Sequence, residues 1–273
     1  MLSSMYILMA LGFALLLSIM GVLNFAHAVI YMAGGYICYQ LAVVFGVNQW
    51  LSLVLATLIV GSFGLFLERF CFRPFFGDPN RTIVIALAII VILESTVNIL
   101  VGSYVRSIPS FAPGVIRGRG VSISVERLVT FVIGTVLMLL LIFFIRRTKI
   151  GQQMLAVSQE PIGAVLQGIN VHRVSAVATV IACALAAVAG SLMGAIFNLN
   201  PFIGDQMLVK AIEVVILAGI GSIGGVLPAG LILGTLDSFL PLLVSGSATD
   251  AVGLAIVILI LLFKPQGLFG HEV

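Results

Sequence analysis

The sequence predicts an all-α, polytopic membrane bundle of about eight transmembrane helices with glycine-broken segments. Of the 273 residues, 61% are hydrophobic and 8% are charged, whereas soluble domains carry about 25% charged residues. The apolar stretches between the charge clusters are long enough for a helix to cross a hydrocarbon core. They are continuous Leu, Ile, Val and Ala runs rather than two-residue alternation, which favours helices over a barrel.

Nine apolar segments follow one another along the chain, and residues 1–273 are predicted to form a single transmembrane domain. The segments lie near residues 3–22, 28–47, 49–68, 82–103, 126–146, 173–198, 207–221, 226–245 and 249–263. Because the seventh is short for a full span, we expect about eight or nine crossings. The first segment lacks a basic flank and continues into further apolar sequence, so we expect a retained span rather than a signal peptide.

Basic residues predict the side of the membrane on which each loop lies. The loops 68–81 and 146–173 are basic, as is Lys264, and two spans separate the two loops. Positive-inside bias therefore makes both loops and the C-terminus cytoplasmic. The loop 103–127 also carries four arginines but lies outside in this topology. Its prolines and glycines predict an irregular external cap, whose arginines either contact an acidic partner or anchor at lipid headgroups.

The sequence contains no motif for covalent chemistry or metal binding. P-loop, G-x-S-x-G and H-E-x-x-H patterns are absent, and the three histidines are far apart in sequence. The three cysteines are dispersed, which gives neither a disulfide framework nor ligand spacing. We therefore predict no catalytic residue, no metal site and no enzyme activity in this chain. Membrane-edge residues account for the net charge of +3, so no nucleic acid partner is predicted.

Glycine clusters predict two features of the helices. Gly190 and Gly194 have the spacing that lets membrane helices approach closely. The run 219–225 contains four glycines and is followed by Pro228, so it predicts a broken helix. A break at membrane depth is tolerated where the backbone is buried in protein or lines a water-filled path. A pathway or hinge and plain close packing both remain open for this run.

Polar side chains within the apolar spans are candidates for lining a translocation path. Asn24 and His27 are three residues apart, and Glu94 and Asn98 are four apart, so each pair would share a helix face. Polar residues at such positions can equally hold helices together by interhelical hydrogen bonds. The candidate path residues are Asn24, His27, Glu94, Asn98, Glu213, Gly221, Gly224 and Gly225.

Three carboxylates lie within apolar spans, those of Glu94, Glu213 and Asp237. An acid inside the membrane is costly and needs a partner or water. Lys210 lies three residues before Glu213, so these two can form an ion pair. Structural pairing and substrate contact are both consistent with these acids.

The loop 147–172 is the longest polar stretch between spans, and its central part, 156–170, is amphipathic. This part is too polar to enter a bilayer and is predicted to form a helix. Pro161 suits the first turn of a short helix, with Glu160 near its positive end. Gly168 suits the C-terminal stop of that helix.

Small apolar residues on the predicted helix, Ala164, Val165 and Leu166, would be available for contact with a partner protein. The alternative is an ordinary interfacial helix that rests on lipid. The sequence pattern alone leaves both possibilities open.

Four motifs resemble those of one transporter family. They are GVLNFAHAVIYMAGGY at 21–36, LERFCFRPFFG at 67–77, AVSQEPIGAVLQGINVHRV at 156–174, and GIGSIGGVLPAGLILG at 219–234 together with KPQGLFG at 264–270. In this order they resemble a permease subunit of the bacterial branched-chain amino acid ABC importers. Ala28 replaces a glycine that is usual in the first motif, and Ile162 and Gly163 stand where Glu-Ala is common.

The resemblance implies a working assembly in the bacterial inner membrane. Two cytoplasmic ATPases would drive a pair of homologous permease subunits. The family pattern favours a heterodimer of permease subunits over a homodimer. A periplasmic binding protein would deliver the ligand. This chain would bind no cofactor, since ATP and Mg would be used by the ATPases. The coupling helix that docks on the ATPase would include Ala156, Gln159, Glu160, Pro161, Ala164 and Gly168.

Two other functions remain open from the sequence. A related importer for urea, short amides or other small acids would share the same motifs. A secondary carrier of a different class would use Glu94, Glu213 or Asp237 as proton sites and would need no ATPase.

Overall fold

The computed structural model describes residues 1–118, 121–219, 221–242 and 248–269, and most of these residues are helical. The helices are α1 (Leu2–Met20), α2 (His27–Tyr39), α3 (Gln49–Phe66), α4 (Pro79–Val101), α5 (Val125–Arg147), α6 (Lys149–Gln159), α7 (Pro161–Leu166), α8 (Val171–Ile196), α9 (Ile203–Ala218), α10 (Val226–Phe239) and α11 (Ala248–Phe263). A π-helical segment extends α2 over Gln40–Val44, and another extends α3 over Leu67–Phe72.

Each of the nine predicted apolar segments corresponds to a helix, which confirms the polytopic helical bundle. In the described part of the chain, seven helices are long and apolar enough to cross a membrane. Helices α9 and α11 have 16 residues each and are shorter than a full span. The predicted seventh segment, 207–221, is displaced: α9 begins at Ile203 and ends at Ala218, because Gly219 has φ 99°.

Helix α1 lies at the centre of the bundle. Nearly all of its residues are buried, and it packs against α5, α8, α9 and α10. A helix that is hydrophobic on all sides is expected to be surrounded by protein or lipid. Here protein surrounds it, so α1 is the element around which the others are arranged.

Small residues allow the closest helix approaches, as their spacing predicted. Gly34 of α2 lies against Ala187 of α8, and Gly190 lies against the carbonyl oxygen of Tyr31. Gly64 of α3 contacts Cys183 on another part of α8. Without an aqueous driving force between the helices, packing of this kind is what holds membrane helices together.

The basic loops lie at one end of the bundle. The ring of Phe76, in the loop after α3, contacts the ring of His172, in the first turn of α8, at 5.7 Å between centroids. The C-terminal segment is tied to the end of α9, where the backbone N–H of Leu268 donates to the Leu217 oxygen at 2.8 Å. The two basic loops therefore share one end of the bundle, as predicted.

The loop between α4 and α5 lies at the opposite end and is more regular than the predicted irregular cap. It contains an antiparallel hairpin of β1 (Val115–Gly118) and β2 (Val121–Ser124). Arg106 pairs with Leu199 through two backbone hydrogen bonds of 2.9 and 2.6 Å, which ties the loop to the segment after α8.

The arginines of this loop were predicted to contact a partner or lipid headgroups. The Arg106 guanidinium donates to the Val101 carbonyl oxygen at 3.3 Å, within the chain, and the contact with a partner or with headgroups stays a prediction. Arg127 lies in the first turn of α5. The side chain of Arg117 and the whole of Arg119 lie outside the described residues.

Candidate functional site

The loop 147–172 begins with a tight corner between α5 and α6. The Thr148 hydroxyl donates to the Phe144 carbonyl oxygen at 2.8 Å, and its oxygen accepts from the Gly151 N–H at 3.0 Å. A side chain at Gly151 would meet the backbone of Phe144 and Ile145. The corner is thus fixed by an N-cap and by a residue without a side chain.

Helix α6 is anchored to the bundle along one face. Gly151, Met154 and Val157 are buried at a spacing of three residues, while the other face carries exposed glutamines. Apolar residues at this spacing lie on one side of a helix. This face packs on α8 and α1.

The structure has two helices that meet at Glu160, so a single helix over 156–170 is wrong, whereas the predicted start of a short helix at Pro161 is confirmed. Ala156 and Gln159 belong to α6, whereas Pro161 and Ala164 belong to α7. Glu160 has φ −149° and ψ 89°. The residue before a proline is pushed out of the helical region, which explains the break.

The C-terminal end of α7 confirms the predicted stop at Gly168. Gly168 has φ 79°, its N–H donates to the Val165 oxygen at 2.9 Å, and the N–H of Ile169 donates to the Ala164 oxygen at 3.0 Å. These two bonds form a Schellman motif, which requires a residue that tolerates positive φ. The exit from α7 is therefore fixed in direction.

An exposed apolar surface lies on α7, and we call Ile162, Val165 and Leu166 the coupling surface. Leu166 is 81% exposed and Ile162 is 73% exposed. Ala164, predicted to contact a partner, is only 4% exposed and faces the bundle. That prediction is corrected, because on a helix Ala164 points away from the side that carries Ile162 and Leu166.

Asn24 and His27 do not share a helix face as predicted. Asn24 lies in the loop before α2, where its Oδ1 accepts from the Ala26 N–H at 3.1 Å in an Asx-type turn. His27 is fully buried at the start of α2, against Gly12 and the ring of Phe13. This pair positions the connection between the first two helices.

Glu94 and Asn98 both lie on α4 but have different surroundings. Asn98 is exposed, and its Oδ1 accepts from the Ser103 hydroxyl at 2.7 Å. Glu94 is half-buried on α4. Of this pair, only Glu94 is partly covered by the bundle.

Glu213 belongs to a buried ionic network that joins α1, α9 and α10. Lys210 Nζ lies 3.4 Å from Glu213 Oε2 and 3.0 Å from Asp237 Oδ2. The hydroxyl of Tyr6 donates to Asp237 Oδ2 at 3.0 Å. The predicted pairing of Lys210 with Glu213 is confirmed. The contacts with Asp237 and Tyr6 were not predicted, because these residues are far apart in sequence.

A cavity of about 290 Å³ adjoins this network. Its lining combines charged, polar and apolar side chains: Tyr6, Gln206, Met207, Val209, Lys210 and Glu213. The cavity is set into the exposed face of α9, where Asp205 and Gln206 reach the surface. A lysine and a glutamate that border the same cavity can contact the two charged ends of one small molecule.

The predicted break in the glycine run is present. Gly219 and Gly221 have φ 99° and 88°, and the Ser222 hydroxyl oxygen accepts from the Gly225 N–H at 3.2 Å. A second cavity, of about 490 Å³, is lined by Ser222 and Gly224 on this segment and by residues of α5 and α6 such as Arg146 and Gln159. The break therefore lies beside the loop 147–172 and away from the ionic network.

The predicted path residues thus occupy several places rather than one site. Asn24 and His27 support the α1–α2 connection, Glu94 is half-buried on α4, and Glu213 borders the smaller cavity. Gly221, Gly224 and Gly225 lie near α6, with Gly224 in the wall of the larger cavity. Tyr6 and Gln206 were missed, and Lys210, although predicted to pair with Glu213, was not included among the candidate path residues.

Comparison with known proteins identifies the family. Residues 1–262 match the family described as branched-chain amino acid transport system, permease component. The high-affinity branched-chain amino acid transport permeases LivH of Salmonella typhimurium and Escherichia coli are each 33% identical over 285 residues, covering 99% of this chain and 92% of theirs. BraD of Pseudomonas aeruginosa is 34% identical over 284 residues, covering 98% of this chain and 92% of its own.

No solved structure gives a significant match to the chain. The family match and the full-length relatives agree with the helical membrane bundle and with the four motifs of the sequence. The chain therefore belongs to the family of permease components of branched-chain amino acid transport systems.

Proposed function

We propose that this chain forms half of the membrane path of an ATP-driven importer for branched-chain amino acids. The observation that carries the proposal is the family match over residues 1–262. In the proposed assembly, two cytoplasmic ATPase subunits bind ATP and Mg, and a homologous permease subunit, a paralogue, forms the other half. A periplasmic binding protein delivers the amino acid. The chain itself binds no cofactor and does no covalent chemistry.

The coupling surface is the proposed contact with one ATPase subunit. It presents three exposed apolar side chains beside a basic loop, and the bundle leaves them uncovered. Exposed apolar patches with a polar rim are typical of protein interaction sites. In this orientation the basic loops and the C-terminus are cytoplasmic, and the hairpin of β1 and β2 is periplasmic.

The geometry provides a route from the ATPase to the membrane helices. The Schellman motif at Gly168 fixes α7 to the start of α8, and the corner at Gly151 fixes α6 to the end of α5. Both α5 and α8 pack against the central helix α1. Displacement of the coupling surface by the ATPase would therefore move the two helices that flank the loop.

The buried carboxylates favour this function over a secondary carrier. Lys210 holds both Glu213 and Asp237 in ion pairs. A proton-carrying acid has to become neutral during transport, and a neighbouring lysine opposes that change. The names of the full-length relatives also favour branched-chain amino acids over urea or short amides.

The test is co-purification of the ATPase subunits with chains altered at matched exposed leucines. Leu166→Ala truncates the coupling surface, and Leu262→Ala truncates a leucine of similar exposure on α11 (81% and 79%). Loss of an interface anchor should weaken ATPase binding about tenfold, or about 1.4 kcal/mol. Leu262→Ala should bind normally.

Two further variants test the docking geometry. Gly168→Ala places a side chain at φ 79° and should misdirect α7. Glu160→Gln removes the negative charge at the α7 N-terminus. If both variants retained normal ATPase binding and ligand-stimulated ATP hydrolysis in the reconstituted complex, the assignment of α7 as the docking element would be wrong. Transport by the permease without any ATPase would instead support a secondary carrier.

A further inference from the structure

We propose that the cavity beside the ionic network binds the zwitterionic end of an amino acid as it crosses the membrane. We call it the head-group cavity; it is lined by Tyr6, Gln206, Met207, Val209, Lys210 and Glu213. The proposal rests on the proposed transport function and names the part of the path that contacts the substrate. Lys210 contacts the carboxylate of the amino acid and Glu213 contacts its ammonium group.

The composition of the cavity fits this ligand class. A cation and an anion border the same space, so both ends of a zwitterion can be neutralised without a metal or an added ion. The Gln206 amide and the Tyr6 hydroxyl add hydrogen-bonding groups, while Met207 and Val209 provide apolar surface for a side chain. The volume of about 290 Å³ suits a small molecule.

The two ion pairs of Lys210 differ in a way that favours exchange at Glu213. The contact with Asp237 is 3.0 Å, and Asp237 is held in addition by Tyr6. The contact with Glu213 is 3.4 Å, longer than a well-formed charged hydrogen bond of about 2.7–2.9 Å. A ligand can therefore enter beside Glu213 while Asp237 continues to hold the lysine in place.

The surface around the cavity is unsuited to lipid. Asp205 and Gln206 are exposed on α9. Ionised side chains on transmembrane helices face the bundle interior, a partner subunit or a water-filled cavity. The opening of the head-group cavity is thus directed toward the second permease subunit and the water-filled path between the two.

The experiment is substrate protection of an introduced cysteine in the assembled importer. Val209→Cys places a thiol in the cavity wall, and Val136→Cys places one on α5, at similar exposure (51% and 48%). Labelling by a thiol reagent is measured with L-leucine, with isoamylamine, which lacks the carboxylate, and with isocaproate, which lacks the ammonium group. Each is added without binding protein.

L-leucine at ten times its dissociation constant should slow labelling of the Val209→Cys chain by about tenfold. The two single-charged analogues should protect weakly, and the Val136→Cys chain should be labelled at the same rate throughout. Equal rates for the Val209→Cys chain with and without L-leucine would overturn the proposal. So would protection by isoamylamine or isocaproate equal to that by L-leucine.

Two variants separate ligand binding from a structural role of the network. Glu213→Gln and Asp237→Asn each remove one carboxylate from Lys210, but only Glu213 lines the cavity. Glu213→Gln should abolish protection, whereas Asp237→Asn should retain it in the chains that assemble. Equal loss of protection in both variants would show that the network has only a structural role and would overturn the proposal. Gln206→Ala alters an exposed lining residue outside the ion pairs and should weaken protection without affecting assembly.

The outcome is independent of the coupling proposal. The importer could bind its ATPases and import L-leucine while the Val209→Cys chain shows no protection. That result would support the transport function and contradict ligand binding in the head-group cavity. A complex that neither binds ATPases nor imports would contradict the transport function itself.

Discussion

Helices α4 and α9 are both apolar and both reach the surface of the bundle, yet their exposed faces differ in chemistry. Beyond its first turn, which carries Arg81, the large exposed side chains of α4 are apolar apart from Asn98, and they include Val84, Leu87 and Val91. On α9, two of the exposed residues are Asp205 and Gln206. The exposed faces of this chain therefore differ: the α4 face is compatible with lipid, whereas the α9 face requires water or protein.

The few polar side chains on α4 do not weaken this contrast. The exposed Thr96 hydroxyl donates to the Ile92 carbonyl oxygen at 2.6 Å, within its own helix. Asn98 is paired with Ser103 at the helix end. Polar groups satisfied in this way are tolerated next to lipid. The polar groups of α9 instead surround the head-group cavity.

The largest effect is expected from Lys210→Met, which removes the cation beneath the polar face of α9. It leaves Glu213 and Asp237 buried without their common partner, and breaking a buried pair in this way costs about 3–5 kcal/mol. Thermal unfolding of the detergent-solubilised complex should shift to lower temperature. Leu87→Met on α4 is the control, and an equal shift in both variants would contradict the role of the network.

A single arginine placed on each helix tests the contrast directly. Val91→Arg puts a charge on the lipid-compatible face of α4, where it should cost about 2.5–3.5 kcal/mol of insertion free energy. Val209→Arg should cost less, since carboxylate and amide groups lie beside it. Membrane-inserted protein is measured for both variants. Equal depletion would mean that α9 also faces lipid.

An apolar replacement on α9 should affect transport more than folding. Gln206→Leu makes this part of α9 resemble α4, and removing one hydrogen-bonding side chain from a site costs about 1 kcal/mol, or about fivefold in affinity. Uptake of L-leucine at low concentration should fall, while the amount of assembled complex stays unchanged. Normal uptake in this variant would count against contact between Gln206 and the ligand.

The smallest effect is expected on α4. Val91→Leu exchanges one exposed apolar side chain for another and should change stability by less than about 0.5 kcal/mol. Uptake and assembly should match those of the natural chain. A transport defect in this variant would show that α4 contacts more than lipid.

The helices could be predicted because the length and apolarity of each segment determine whether that segment forms a membrane helix. Each predicted span became a helix, and the stops at Gly168 and Gly219 follow from positive φ at glycine. The Lys210–Glu213 pair followed from spacing on one helix. The pairing with Asp237 and Tyr6 depends on which helices become neighbours, and one sequence does not contain that information.

The wrong predictions have local causes that are visible in the sequence, but a competing sequence pattern was given more weight. The proline at 161 forbids a continuous helix through Glu160, although the amphipathic pattern runs across it. Asn24 formed a turn with its own backbone rather than joining His27 on a helix. Ala164 was assigned to a partner because it is small, but small residues also suit close packing against the bundle.

The central position of α1 has a consequence for the order in which the bundle can be assembled. Synthesis proceeds from the N-terminus, so α1 enters the membrane before α8, α9 and α10, the helices that later cover most of its surface. Its surface is apolar apart from the hydroxyl groups of Ser3, Ser4, Tyr6 and Ser18, and its backbone is satisfied within the helix, so it can remain in lipid during that interval. The bundle cannot complete its interior until the last third of the chain has been inserted, so nascent chains that end before α8 should leave α1 accessible to lipid-phase cross-linkers.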